Sequence, residues 1–386
     1  MTYRRAVLPA VAGGLLLTAL LWWVGASAHA LRLPGAAGML GGQAAAELEH
    51  WLIPWSYDPP ASAQFRTEVP GGTGAADTDY LALYTTALQI RFGAVFAFFV
   101  PGALLLVRRL PPVQGRMPAA LLALWTWGVV AGTLAVTVSA PWLIASAGHG
   151  SYRFLPQLAS VISSGRQVLV AAALVAAALT VFIARLAAKG AGRLSREDVP
   201  ARAARRAATV ATAVIALSLV VLSYQPVAAA LQQVSLDLGP FAEPGDLLRQ
   251  WLLLGAWAGP GGAPLGAWLL YRAGDVLLLV VVWWVLRRLP GLLTRATVPA
   301  MAVGAVCATV LGLLASQLLR VVVDGAGSSL RWDLLHLSAS IGDGVPAALT
   351  WGLVAGAAAA WTLRAAVGRA EITDATTPVQ GPARRG

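Results

Sequence analysis

From Ala6 to Ala28 the chain carries no charged residue, and long apolar stretches of this kind recur along it. About 20 apolar residues are what a helix needs to cross a bilayer core. Within lipid every backbone N–H and C=O must be satisfied inside the structure, which leaves only helices and closed barrels. These stretches are continuously apolar and do not alternate, so they are helices and not barrel strands. Composition agrees: 58% of the 386 residues are apolar and 12% are charged, where a soluble domain has roughly a quarter charged. The expected fold class is an all-α polytopic membrane protein with about eight transmembrane helices.

The expected spans are about Ala6–Ala28, Thr86–Val107, Met117–Ala140, Arg166–Leu186, Ala207–Ala229, Ala273–Leu286, Val298–Leu319 and Val345–Leu363. Ala26-Ser27-Ala28 and Ala28-His29-Ala30 both fit a signal-peptide cleavage site. The first apolar run is longer than a signal core of about 7–15 residues, and Arg4-Arg5-Ala6 has a counterpart at Arg205-Arg206-Ala207. A retained first span is therefore expected. Trp-bearing segments 44–55 and 247–257 read as amphipathic helices in the loops, at the interface where Trp is favoured.

Charge segregates along this plan. Assigning the N-terminus, the loops after the second, fourth and sixth spans, and the tail to one side gathers 19 of the 28 basic residues there, with four of the 17 acids. That side carries +15 and the other −4, matching the overall +11. Basic residues favour cytoplasmic loops, so both termini are expected inside. The net positive charge is thus a topological signal and no mark of nucleic-acid binding. Arginine outnumbers lysine 27 to 1, which suggests a GC-rich bacterial genome and hence a bacterial cytoplasmic membrane.

Arg108-Arg109-Leu110-Pro111 with Arg116 recurs as Arg287-Arg288-Leu289-Pro290 with Arg295, at an offset of 179. At the same offset Leu158–Ile162 and Gly165 align with Leu337–Ile341 and Gly344. Arg91 and Gly93 align with Arg272 and Gly274 at 181. These matches, in one order, imply a duplication: residues 1–195 form a first four-span repeat, 196–368 a second, and 369–386 a disordered cytoplasmic tail. An even number of spans per unit makes the repeats parallel. Gly93, Gly165, Gly274 and Gly344 further suggest an older hairpin unit, with chance as the plain alternative in a chain of 40 glycines. Small-residue runs such as Ala171–Ala173 and Gly352–Gly356 allow close helix contact, so the fourth and eighth spans are expected at the centre. Trp22-Trp23 and Trp283-Trp284 are expected at the headgroups.

Candidate chemistry is sparse. Cys307 is the sole cysteine, so no intramolecular disulfide forms. His29, His50, His149 and His336 show no metal-ligand spacing, and Asp77-Thr78-Asp79 reads as a solvated loop. No Walker A or GxSxG motif occurs, and no cofactor is implied. Ionisable residues cluster instead at the outer ends of the spans: Arg91, Arg166, Arg272, Asp275, Arg331, Asp333, His336 and Asp343. Charges at that depth are costly unless paired or facing a wet cavity, so these eight are the expected ligand-binding lining of a polar vestibule. Snorkelling at the interface is the plainer alternative. Three functions follow: a permease-like or transport-associated protein; a structural or assembly protein binding a partner or lipid through 44–55 and 247–257; and an extracytoplasmic lipid-modifying enzyme using His336 with Asp333 or Asp343. A non-enzymatic role is the expectation.

Overall fold

The computed structural model describes residues 3–31, 51–57, 75–112, 115–146, 154–164, 166–188, 199–236, 239–255, 265–324 and 344–366. They form α1 (Tyr3–Leu31), α2 (Ala75–Arg109), α3 (Met117–Ser146), α4 (Phe154–Ser163), α5 (Arg166–Ala187), α6 (Ala201–Ala216), α7 (Gln225–Gln232), α8 (Gly245–Leu252), α9 (Leu265–Leu292), α10 (Val298–Asp324) and α11 (Gly344–Ala366). Among the described residues, eight helices are long and apolar enough to cross a membrane. These are α1, α2, α3, α5, α6 with its continuation to Leu222, α9, α10 and α11. The chain is an all-α multi-pass membrane protein. Leu15, Val175, Phe182, Val280 and Trp361 lie exposed on helix faces, an apolar coat that suits lipid and not water.

The centre differs from expectation. The most buried spans are α3 and α10, not α5 and α11. α3 is apolar on every side, as suits a helix buried nearly all round. The two pack against each other, and the Cys307 thiol of α10 donates to the Ala123 carbonyl of α3 across 3.3 Å. The small residues of α5 and α11 serve close helix contacts, not the centre of the bundle. A Cβ at Gly352 would lie 2.6 Å from the Val306 Cα, and one at Gly356 would strike the backbone at Ala302, so α11 rests directly on α10. On α5, Ala172, Ala173, Ala176 and Ala177 are buried while Leu174, Val175 and Phe182 face outward.

Around this pair, α2 packs on α3 and α9 on α10. α1 packs on α2 and α5, α5 on α3, and α6 on α9. The two arginine elbows meet. Thr294 N–H donates to the Arg109 carbonyl at 2.9 Å, and Arg116 Nη1 donates to the Leu292 carbonyl at 2.9 Å. Arg288 lies 4.2 Å from the centre of the Trp284 ring and Arg287 5.2 Å from that of Trp283, cation–π pairs one helical turn apart. Trp22, Trp23 and Trp284 are exposed, as headgroup-facing residues would be, whereas Trp283 is half-buried.

The fifth span needs correcting. It does not run on to Ala229: a wide π turn, Leu217–Leu222, ends it, and α7 begins afresh at Gln225. Tyr224 is extended, and Pro226 in the first turn of α7 has no N–H with which to continue the preceding helix. The hairpin-glycine idea also finds no shared packing role. A Cβ at Gly93 would meet nothing within 4 Å, one at Gly344 would meet Leu313 at 2.6 Å, and one at Gly274 would lie 3.4 Å from Arg320 Nε.

Candidate ligand pocket

The π turn positions the site. Its wider ring leaves Ser218 free to bond outside the helix, and such turns recur at functional sites. Ser218 Oγ donates to the Leu252 carbonyl at 2.5 Å and accepts from Leu254 N–H at 3.3 Å. Ser223 Oγ accepts from Gly255 N–H at 3.3 Å and donates to the Ser218 carbonyl at 2.8 Å. The segment after α8 is thereby stitched to α6. Trp351 Nε1 of α11 also donates to the Leu252 carbonyl, at 2.8 Å.

α4 faces α8 at the same end of the bundle. Leu155, Ala159 and Ile162 form its buried stripe, at the four- and three-residue spacing of one helical face. Gln250 Nε2 of α8 donates to Ser163 Oγ of α4 at 3.0 Å. Between these short helices and the ends of α9, α10 and α11 lies a cavity of about 620 Å³, within the range of small-molecule sites. Its lining includes Ser160 of α4, Gln250 of α8, Asp275 of α9, and Ser316 and Arg320 of α10.

Asp275 is its charged centre. The carboxylate is buried and meets two guanidinium groups: Arg272 Nη1 at 2.7 Å, one turn earlier on α9, and Arg320 Nη2 at 3.3 Å from α10. Arg320 also lies 5.9 Å from the centre of the Tyr271 ring. A buried carboxylate is costly without such partners, and of the two arginines it is Arg320 that lines the cavity.

Of the eight sequence candidates, the structure pairs Arg272 with Asp275 and sets Asp275 in the cavity wall. It places Arg91 elsewhere and does not include it in the lining. Arg91 is 1% exposed. Its Nε donates to Ser139 Oγ of α3 at 2.9 Å, its Nη1 donates to the Pro54 carbonyl, and its charge lies 5.6 Å from the centre of the Trp55 ring. Trp55 is itself fully buried, against α1 and tilted on Phe92 at 6.1 Å. Tyr57 stacks on Phe92 at 5.9 Å, and burial pushes its phenol up to about 12. Arg331, Asp333, His336, Asp343 and the side chain of Arg166 lie outside the described residues, as do residues 44–50 and 256–257 and the four histidine side chains. Arg320 was missed. Its position on the last turns of a span was the available signal, shared with Arg272 and Asp275. Among the described residues no cluster of three metal-ligating side chains occurs. No protein-family model, curated protein or solved structure matches the chain.

Proposed function

We propose that this chain is a permease-like or transport-associated protein of a bacterial cytoplasmic membrane that receives a small polar solute in the cavity beside Asp275. The observation that carries the proposal is the cavity itself, with a paired carboxylate in its wall, at the junction of α4 with α8, α9 and α10. A purely structural bundle gains nothing from a buried ion triad beside open space.

A pseudo-twofold duplication of residues 1–195 and 196–368 fits the packing. The contacts α1 on α2, α2 on α3 and α5 on α3 correspond to α6 on α9, α9 on α10 and α11 on α10. The α3–α10 crossing and the paired elbows lie where the axis would pass. The basic elbows sit at one end of the spans and the cavity at the other, so the charge bias supports an outward-facing cavity.

The repeat also suggests why the cavity lies beside Asp275 and not beside Arg91. Trp51-Leu52 aligns with Trp251-Leu252 at an offset of 200, which sets Trp55 against Gly255, a residue of the cavity wall. Arg91 likewise aligns with Arg272, but Ala94 stands where the second half has Asp275. The first half's arginine is closed over by Trp55 and Pro54, while the second half's is held by a carboxylate next to a cavity. An assembly role through 44–55 and 247–257 draws less support, because Trp55 is buried and Trp251 packs against the core.

Solute flux into proteoliposomes, or ligand binding to purified protein, tests the reading. Ser160 is exposed and lines the cavity, so Ser160→Trp fills the space without disturbing the core. Loss of flux or binding in a folded Ser160→Trp variant is the expected result. Unchanged activity in Ser160→Trp and in the triple variant Arg272→Gln, Asp275→Asn, Arg320→Gln would sink the proposal.

A further inference from the structure

We infer that the seam between the start of α6 and the end of α9 binds one anionic phospholipid from the leaflet on the elbow side. This seam lies at the opposite end of the spans from the cavity beside Asp275 and stands without it. Trp283 Nε1 of α9 donates to Thr209 Oγ1 of α6 at 3.4 Å, and Thr209 donates to the Arg205 carbonyl at 3.0 Å. These bonds set the first turns of α6 beside the last turns of α9. Arg202, Arg205 and Arg206 lie exposed on one helix, Arg287 and Arg288 on the other. Among the described residues no acid lies at this end of the bundle, and Glu197 and Asp198, the nearest in sequence, lie outside them.

The order of chemistry along the seam is that of a phospholipid. Val276, Val280, Trp284 and Arg288 follow one another at four-residue steps on the exposed side of α9. Arg206, Val210 and Leu217 share an exposed side of α6. Guanidinium groups thus stand at headgroup depth, indole just below them where Trp is favoured, and aliphatic side chains at the depth of acyl chains. Stacking orients the charges. Arg287 lies 5.2 Å from the centre of the Trp283 ring and Arg288 4.2 Å from that of Trp284. A guanidinium resting on a ring keeps its N–H edges for phosphate oxygens, which its planar fork matches. A zwitterionic headgroup would bring an ammonium in among arginines. Topology alone places basic residues at this end, but it does not gather arginines from two distant segments around one Trp–Thr bond. Nor does it call for the tryptophans: at the elbows' offset of 179, Leu104 and Leu105 stand where α9 has Trp283 and Trp284. Basic pockets between spans are recurrent sites for anionic headgroups.

The test uses full-length protein in a neutral detergent, with phosphatidylglycerol and phosphatidylcholine of matched acyl chains as probes. Native mass spectrometry counts retained lipid, and the rise of melting temperature with lipid concentration gives the apparent affinity. Wild type should retain phosphatidylglycerol in preference to phosphatidylcholine. Arg205→Gln with Arg287→Gln should weaken phosphatidylglycerol about tenfold or more. Arg5→Gln with Arg185→Gln is the charge-matched control: it removes the same charge from exposed positions at the same end, on α1 and α5, and should change affinity by less than about twofold. Trp283→Leu, which alters no charge, should also weaken binding. Equal retention of the two lipids by wild type, or equal losses in the two double variants, would overturn the inference; the second result would mean that the arginines act only as a diffuse field. If the seam double variant does not fold, Arg205→Gln alone against Arg185→Gln alone decides by the same criterion. Glycerophosphoglycerol, the headgroup without chains, should bind far more weakly than the lipid. Binding as tight as that of phosphatidylglycerol would overturn the lipid assignment in favour of a soluble anion.

Discussion

Replacing Trp55 by Ala tests how the site around Arg91 is closed. The indole is fully buried, touches Phe92, and covers the Arg91 guanidinium at 5.6 Å. Truncating a buried Trp to Ala costs about 3–5 kcal/mol through lost contacts and the cavity left behind. The lost cation–π contact accounts for roughly 0.5–2 kcal/mol of that. Arg91 would then face a void while its bonds to Ser139 and Pro54 hold it in place. Trp51→Ala is the internal control, because Trp51 is only half-buried and should cost about 1 kcal/mol. Thermal unfolding of both variants in the same detergent gives the comparison. Trp55→Ala should melt well below Trp51→Ala, with Trp55→Phe between it and wild type. Equal melting of the two Ala variants would refute the idea that Trp55 seals a buried arginine, and with it the contrast with Gly255.

Other expectations follow from single contacts. Arg116→Ala removes the bond from one elbow to the Leu292 carbonyl and should cost about 1–2 kcal/mol in unfolding experiments, whereas Arg5→Ala at the same end of the bundle should cost little. Gly352→Leu cannot be accommodated against Val306 and should abolish folding or expression, while Gly93→Ala, with nothing within 4 Å, should be neutral or slightly stabilising. Ser218→Ala loosens the segment that ends at Gly255; it should cost about 1 kcal/mol and weaken ligand binding more than melting. Tyr57, with an ordinary value of 10.0 raised to about 12 by burial, keeps its proton in the folded state after unfolded chains have lost theirs. Its contribution is complete below pH 10.0, is lost as pH rises towards about 12, and should vanish in Tyr57→Phe when alkaline unfolding is followed by tyrosinate absorbance.

Span number was legible because about 20 apolar residues in a row have one physical solution in a bilayer. Span boundaries were less so. Helices α2, α3 and α10 extend beyond their apolar cores, since polar residues at headgroup depth continue a helix at little cost. The centre of the bundle was misread because small residues mark a close contact, not full burial; the uniformly apolar face of α3 was the better sign for that helix, and α10 carried none of its own. The Arg272–Asp275 pair was half visible, as an Arg and an Asp one turn apart on one helix. Its third member, Arg320, comes from another helix, and nothing local announces that meeting. Arg91 shows the same limit: its cover, Trp55, and its hydrogen-bond partners Pro54 and Ser139 come from elsewhere in the chain. The π turn at Leu217–Leu222 has no apolar periodicity of its own and lay hidden within the fifth span.

The account's central claim is that the cavity beside Asp275 is wet and reachable from outside the cell. Cys307, the only native cysteine, is buried and gives an inert background. Gln317 is half-buried and lines the cavity. Labelling of Gln317→Cys by a small, membrane-impermeant thiol reagent added outside intact cells measures access directly. The account predicts prompt modification of Gln317→Cys, slowed when Ser160→Trp is added, with wild type unlabelled. A Gln317→Cys thiol as inert as Cys307, or one that reacts only from the cytoplasmic side, would contradict it.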